Sequence, residues 1–236
     1  MKKEKDFLTC QRIGREFPDR EFEIKFEFQQ KSLELSHYLA LIENAIKGSD
    51  RYVIDPVQVR STMTTHFFSD NDLEYSIFEY ENRLMLKKKR HEVLHSELFQ
   101  VYCNDETFLY DLNAIKSELE KNQVHYMGCM TKKRIKDFLL NTTDGRIYSL
   151  AVTICEAYNQ FQYQFEIEYN GYISKMEHSD NNENKLVDAL ILTAKDLFEV
   201  IGSDIIPSGD RKFDFVQRSR PNSTGFNKID ILNEIL

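Results

Sequence analysis

The chain has 236 residues, which is enough for one large domain or two small ones. Its net charge of −8 gives no support for a duplex-binding surface, which is usually basic, but leaves room for a small basic pocket. Four widely spaced cysteines argue against a zinc ribbon or a disulfide scaffold and predict a reducing compartment, and no apolar stretch approaches the ~20 residues of a membrane span.

The hydrophobic pattern predicts a succession of strands with three helices. Strict alternation over Arg20–Phe28 (REFEIKFEF) predicts the first strand, and an amphipathic helix follows over 32–47, with Ser32 as its N-cap and Gly48 as its stop. Further strand-like runs are 57–68, 73–80, 83–90, 97–103, 130–140, 146–154, 161–169 and 211–217. Helices are predicted around 110–121 and, most clearly, over 183–201.

So many antiparallel-looking strands predict an α+β fold built on a closed or nearly closed barrel, because closure removes exposed sheet edges. The barrel domain is expected to cover residues 1–218. Residues 219–236 read as a polar linker followed by the start of an amphipathic helix, so we expect them to lead into a further domain.

Two predicted strands carry glutamates two positions apart. Glu21 and Glu23 share one face of the first strand, and Glu166 and Glu168 share one face of the strand FQYQFEIEY. Their Cα atoms are roughly 6.5–7 Å apart within each pair, and adjacent like charges disfavour each other. A half-exposed strand with a solvated polar face is the simple interpretation. The alternative is that both strands face one cavity and hold a hard divalent cation, which prefers oxygen ligands.

Basic strands supply the complementary charge. In RLMLKKKR, Arg83 and Lys87 lie on one face with Met85 and Lys89, whereas Lys88 and Arg90 are expected to be solvated. In MTKKRIKDFLL, one face carries Lys132, Arg134 and Lys136. For Arg83, Lys87, Arg134 and Lys136, spacing alone leaves two interpretations equally open, namely an inward row that binds a polyphosphate and ordinary surface charge.

The motif Glu21-x-Glu23-x-Lys25 resembles the opening ExExK signature of the triphosphate tunnel metalloenzymes, the CYTH-like superfamily. Glu166-x-Glu168 is similar to the late ExE strand of that family, and the basic strands come in the same order. The segment RIKD at 134–137 resembles the R-x-K-D segment of its fungal and viral RNA triphosphatases. The resemblance covers roughly residues 20–217.

The resemblance implies an antiparallel eight-stranded tunnel barrel with a charged interior and an RNA 5′-triphosphatase activity, the first step of mRNA capping. It implies Mn²⁺ or Mg²⁺ held by Glu21, Glu23 and Glu168, with Glu166 orienting or deprotonating the attacking water or, alternatively, serving as a further ligand. The expected phosphate-binding residues are Lys25, Arg83, Lys87, Arg134 and Lys136. Lys25 and Arg134 are also assigned to catalysis.

Several wider expectations accompany this resemblance. The partner is a 5′-triphosphate RNA end bound without sequence readout, and further capping domains, including a guanylyltransferase, are expected beyond residue 236. An excess of Asn, Lys, Ile, Tyr and Phe is typical of an AT-rich genome, so a large DNA virus similar to mimivirus is the expected source and its cytoplasmic factory or virion the expected location. A cytoplasmic yeast plasmid is the alternative source.

Other functions compete with this interpretation. Two alternatives use the same pocket. One is a small-molecule triphosphatase or adenylate cyclase of the same superfamily, and the other is a non-catalytic barrel that binds a polyphosphate. His91-Glu-Val-Leu-His95 matches the HExxH protease signature, but it follows KKKR at the end of a predicted strand, so a chance match in a polar turn is expected. His37, on the first helix, is expected to be a surface or hydrogen-bonded histidine and not a metal ligand.

Overall fold

The computed structural model describes residues 12–31, 34–55, 58–70, 73–80, 83–96, 98–122, 124–173 and 182–221. The strands are β1 Arg20–Phe28, β2 Tyr52–Ile54, β3 Val59–Ser69, β4 Glu74–Tyr80, β5 Arg83–Ser96, β6 Gln100–Leu109, β7 His125–Asn141, β8 Arg146–Ala157, β9 Gln160–Tyr172 and β10 Ile205–Pro207. The helices are α1 Leu35–Ile46, α2 Leu112–Lys121, α3 Glu183–Ile201 and α4 Lys212–Ser219.

Eight strands close into an antiparallel barrel. The order around the barrel is β1-β6-β5-β4-β3-β7-β8-β9, and β9 pairs with β1 to complete the circle. The short strands β2 and β10 extend the sheet at β7 and β1. The α+β barrel predicted from the succession of strands is therefore confirmed.

The main hydrophobic core lies outside the barrel, beneath α1 and α3. The apolar face of β1, which runs from Phe22 to Phe28, is buried there together with the matching faces of β8 and β9. Leu190 and Leu197 of α3 cover these side chains. Each such side chain contributes roughly 1.5–3 kcal/mol when buried, so the helix layer stabilises the wall from outside and leaves the interior to polar residues.

The end of the barrel interior near α4 is filled by that helix. The prediction of a strand over 211–217 was wrong, because Phe213 and Val216 lie on one helical face rather than alternating. Both pack against the inward side chains Met130 and Cys155. An ion pair between Arg211 and Asp214, with a shortest N–O distance of 2.6 Å, spans the first turn and favours the helix.

Other element boundaries also differ from the prediction. β5 continues through the segment HEVLHS, so His91 lies in a strand and the helix that an HExxH protease site needs is absent there. The first helix begins at Leu35, later than predicted, and Ser32 lies outside the described residues, as does the predicted helix in 222–236. His37 is exposed on α1, as predicted. None of the described helices is long and apolar enough to cross a membrane.

Candidate active site

The four paired glutamates face one cavity inside the barrel. Since β1 and β9 are neighbours, Glu23 lies opposite Glu168 and Lys25 opposite Glu166 in the strand register. Glu21, Glu23 and Glu166 are at most 8% exposed, and all four carboxylates line the cavity. Residues some 145 positions apart in the sequence therefore share one enclosed site.

Each glutamate is paired with at least one lysine. Lys89 contacts Glu21, and its Nζ lies 3.8 Å from Glu23 and 3.3 Å from Glu106. Lys25 lies 3.0 Å from Glu23, and the same ammonium sits 4.8 Å from the centre of the Tyr102 ring. The two pairs on β9 are Lys136 with Glu168, at 3.2 Å, and Lys212 of α4 with Glu166.

These lysines keep the carboxylates ionised. Burial acts to raise the pKa of Glu21, but the ammonium groups of Lys87 and Lys89 outweigh it and hold that pKa well below its usual range. Burial is likewise outweighed by Lys212 and Lys25 at Glu166, and its pKa falls to about 2. The pKa of Glu168 is also lowered, mainly because Lys136 overcomes its burial. Glu21, Glu166 and Glu168 are therefore carboxylates, not carboxylic acids, at neutral pH.

A buried amide ties the first glutamate pair to a histidine. The Asn104 side chain is fully buried and donates hydrogen bonds of 2.9 Å to both Glu21 and Glu23. Its oxygen faces Nδ1 of His91 at 2.6 Å, while Nε2 of His91 lies 2.8 Å from the Glu74 carboxylate. The ring of His91 is therefore held between the Asn104 amide and the Glu74 carboxylate, which fixes its orientation.

The cavity concentrates charges of both signs. Its lining includes seven Lys and Arg side chains and five glutamates, and two further carboxylates, Glu106 and Asp214, pair with Lys87 and Arg211. Lys132 and Arg134 line the cavity, and neither makes an ion pair with a residue that the structure describes. Burial, followed by repulsion from Lys212 and Arg134, lowers the pKa of Lys132 to about 7. The site therefore stabilises an added anion next to Lys132.

Two residues predicted to bind phosphate lie away from the cavity centre. Lys136 is not part of the cavity lining and pairs with Glu168, and Arg83 is exposed at the start of β5, on the same strand face as Met85 and Lys87. Lys88, predicted to be solvated, instead pairs with Glu118 of α2 at 2.6 Å, whereas Arg90 is exposed as predicted.

Several lining residues were absent from the set assigned from sequence. They are Lys89, Lys132, Glu74, His91, Arg211 and Lys212. Lys89 and Lys132 share strand faces with predicted residues, so alternation could have included them. The two α4 residues could not be found in this way, because only the tertiary packing of α4 brings them into the barrel.

The donor set fits a hard divalent cation by its chemistry. Four carboxylates converge from adjacent strands, and oxygen ligands are those that Mg²⁺ and Mn²⁺ prefer. The Lys89 ammonium, which lies among three carboxylates, marks a position where positive charge is stabilised. Within the described ranges, no three His, Cys, Asp or Glu side chains form a ready-made ligand set, so lysine pairs must be exchanged when an ion binds.

Several solved structures are similar to the chain. One is a putative adenylate cyclase from Bacillus halodurans, 12% identical, with a TM-score of 0.47 over 84% of this chain and 98% of that chain. Another is the putative adenylyl cyclase HpAC1 from Hippeastrum, described as having a dominant triphosphatase activity, 19% identical with a TM-score of 0.46 over 84% of this chain and 95% of that chain.

The RNA triphosphatase Pct1 of S. pombe, in complex with the Spt5 CTD, is 12% identical with a TM-score of 0.46, over 75% of this chain and 85% of that chain. No protein-family model and no curated protein sequence matches the chain.

Proposed function

We propose that the chain is a metal-dependent RNA 5′-triphosphatase, which hydrolyses the γ-phosphate of pppRNA and leaves ppRNA for capping. The observation that carries this proposal is that Lys132 and Arg134 have no ion-pair partner among the described residues, in a cavity that also holds four paired carboxylates. A polyphosphate suits such a site, because its negative charge satisfies Lys132 and Arg134 while a bound cation satisfies the glutamates. The resemblance of RIKD at 134–137 to RNA triphosphatases favours RNA over a small molecule.

Phosphoryl transfer depends mainly on positioning and electrostatic stabilisation, which fixed charges on a closed barrel provide. Glu21, Glu23 and Glu168 would hold Mn²⁺ or Mg²⁺, which, when bound, withdraws charge from the phosphate oxygens. Lys25, Lys87 and Arg134 would bind those oxygens directly, and so would the newly found Lys132. Lys89 would also bind a phosphate oxygen once Glu21 and Glu23, with which it now pairs, bind the metal ion.

Glu166 is proposed to orient the attacking water. With a pKa of about 2 it is a weak base, so its part is to accept a hydrogen bond and not to remove the proton early. The water oxygen forms a bond to the γ-phosphorus while the bond to the bridging oxygen breaks. The β-phosphate leaves with that electron pair, and the water proton passes to the phosphate products.

Phosphate release from γ-labelled pppRNA with Mn²⁺ tests the activity. We expect Glu21→Ala and Glu168→Ala each to fold normally and to lose on the order of 10³-fold in rate, which is about 4 kcal/mol of transition-state stabilisation. Glu79→Ala is the matched control, because Glu79 is exposed on the outer face of β4. Turnover like that of the wild type in either cavity variant would remove the proposed site.

A comparison of substrates tests the assignment to RNA. We expect kcat/KM to be higher for pppRNA than for ATP, thiamine triphosphate or tripolyphosphate, with NTP hydrolysis in Mn²⁺ as a side activity. A preference for thiamine triphosphate or tripolyphosphate would favour a small-molecule triphosphatase, and formation of cyclic AMP would favour a cyclase. Binding without hydrolysis would indicate a polyphosphate-binding barrel. The viral source stays a prediction.

A further inference from the structure

Two phenylalanines line the charged cavity without belonging to a core. Phe78 of β4 and Phe108 of β6 both face the cavity, and Phe108 is 38% exposed. Neither ring is part of the apolar clusters formed by the described residues. Aromatic rings inside a charged barrel that do not pack into a core are available to contact a ligand. We call Phe78 and Phe108 the aromatic rim.

The aromatic rim lies toward the end of the barrel away from α4. At the other end of β6, the Tyr102 hydroxyl donates a 2.7 Å hydrogen bond to the Gly209 carbonyl, just before α4. Phe108 lies six residues further along β6, beyond Glu106. Phe78 pairs with Met85 near the start of β5, where the exposed Arg83 begins the strand. A ligand that reaches the glutamates from this end passes the aromatic rim first.

Each ring stands beside a lysine that faces the same cavity. Nζ of Lys87 lies 5.6 Å from the centre of the Phe108 ring, and Nζ of Lys132 lies 5.7 Å from the centre of the Phe78 ring. If these lysines bind the phosphates of a nucleoside triphosphate, its nucleoside would therefore lie next to the ring of Phe78 or Phe108. Interleaved cations and aromatic rings are the combination that binds single-stranded nucleic acid, since every base can stack.

From these observations we infer that the aromatic rim stacks the nucleobase of the 5′-terminal nucleotide. The inference rests on the proposed function, because it takes the phosphates to lie between the lysines and the glutamates. It goes beyond that function by giving the cavity a base-stacking subsite, so nucleotide triphosphates bind more tightly than inorganic tripolyphosphate. Stacking has no sequence readout, so all four bases should bind, with purines favoured by their larger surface.

Kinetics with three substrates test the subsite. We expect Phe108→Leu and Phe78→Leu each to raise KM for pppRNA and ATP by on the order of tenfold, within the roughly 5- to 150-fold range of base stacking. KM for tripolyphosphate, which has no base, should stay unchanged. Phe108→Tyr should keep the KM values of the wild type. Phe161→Leu is the control, because Phe161 is 49% exposed and lies outside the cavity lining.

A binding assay tests the subsite independently of turnover. The fluorescence of 2-aminopurine riboside triphosphate, measured with EDTA present, should be quenched when it binds to the wild type and to Phe161→Leu. It should not be quenched when it binds to Phe108→Leu. Circular dichroism and thermal melting identify any variant that fails to fold, in which case Phe78→Leu replaces Phe108→Leu.

The two proposals fail in different ways. Equal rises in KM for tripolyphosphate and for nucleotides, or unchanged quenching in both rim variants, would overturn the stacking subsite and leave the triphosphatase proposal standing. If no triphosphate is hydrolysed but the rim-dependent quenching is present, the subsite stands and the catalytic proposal falls.

Discussion

Lys132 should take up a proton when a triphosphate binds. Its pKa of about 7 reflects burial and the neighbouring cations Lys212 and Arg134, and a polyanion in the cavity would offset both effects. At pH 9 a lysine with this pKa is about 1% protonated, whereas one with the ordinary value of about 10.4 is about 96% protonated. The expected uptake is therefore close to one proton per bound triphosphate.

The sign of the linkage fixes the pH dependence. Because the free protein holds fewer protons than the complex, affinity should fall as pH rises from 7 toward 10, by up to tenfold per unit. Isothermal titration calorimetry at pH 9, in two buffers with different heats of ionisation and with a non-hydrolysable triphosphate analogue, counts the protons.

Lys132→Met should lose the uptake, whereas Lys133→Met should retain it, since Lys133 is exposed on the opposite face of the same strand. Equal proton uptake by the wild type and Lys132→Met would refute the reasoning.

Three further predictions follow from other contacts. Asn104→Ala should weaken Mn²⁺ binding, measured by electron paramagnetic resonance, about 10- to 100-fold, because Glu21 and Glu23 lose their shared hydrogen-bond donor. Unchanged affinity would show that the amide does not position them. Arg83→Met should raise KM for a pppRNA oligomer several-fold but not for ATP, and should lower the salt dependence of KM for the oligomer, because the exposed Arg83 reaches only the phosphates that follow the first nucleotide. Equal effects on both substrates would contradict this. Leu190→Ala should lower the free energy of unfolding, measured by chemical denaturation, by about 2–5 kcal/mol and leave KM unchanged, since Leu190 is buried outside the barrel. A large effect on KM would contradict the separation of core and site.

The local patterns in the sequence predicted the barrel wall well. Alternation with period two assigns Phe22 and Glu23 to opposite faces without any tertiary information, and the structure buries the Phe22 face in the core beneath α1 and α3. That Glu23 faces Glu168 depends instead on the closing pair of β1 with β9, which the family resemblance implied and the residue pattern alone did not.

The missed residues depend on packing between distant segments. Asn104 is a single amide without a repeating pattern, and its importance appears only when β6 pairs with β1 and β5. Lys212 reaches Glu166 only because α4 packs into the barrel end, and the alternation of Phe213 and Phe215 suggested a strand instead. Short segments of this kind are decided by tertiary contacts, which outweigh local preference.

The helix that fills one end of the barrel makes the cavity directional. Because α4 packs across that end, a linear substrate of the kind proposed, entering past Phe108, would present its free terminus to the glutamates first. If the substrate is RNA, as we propose, its internal phosphodiesters would stay outside, however many of them there are. The shape of the cavity would then distinguish the end of the polymer from its interior without recognition of the base sequence.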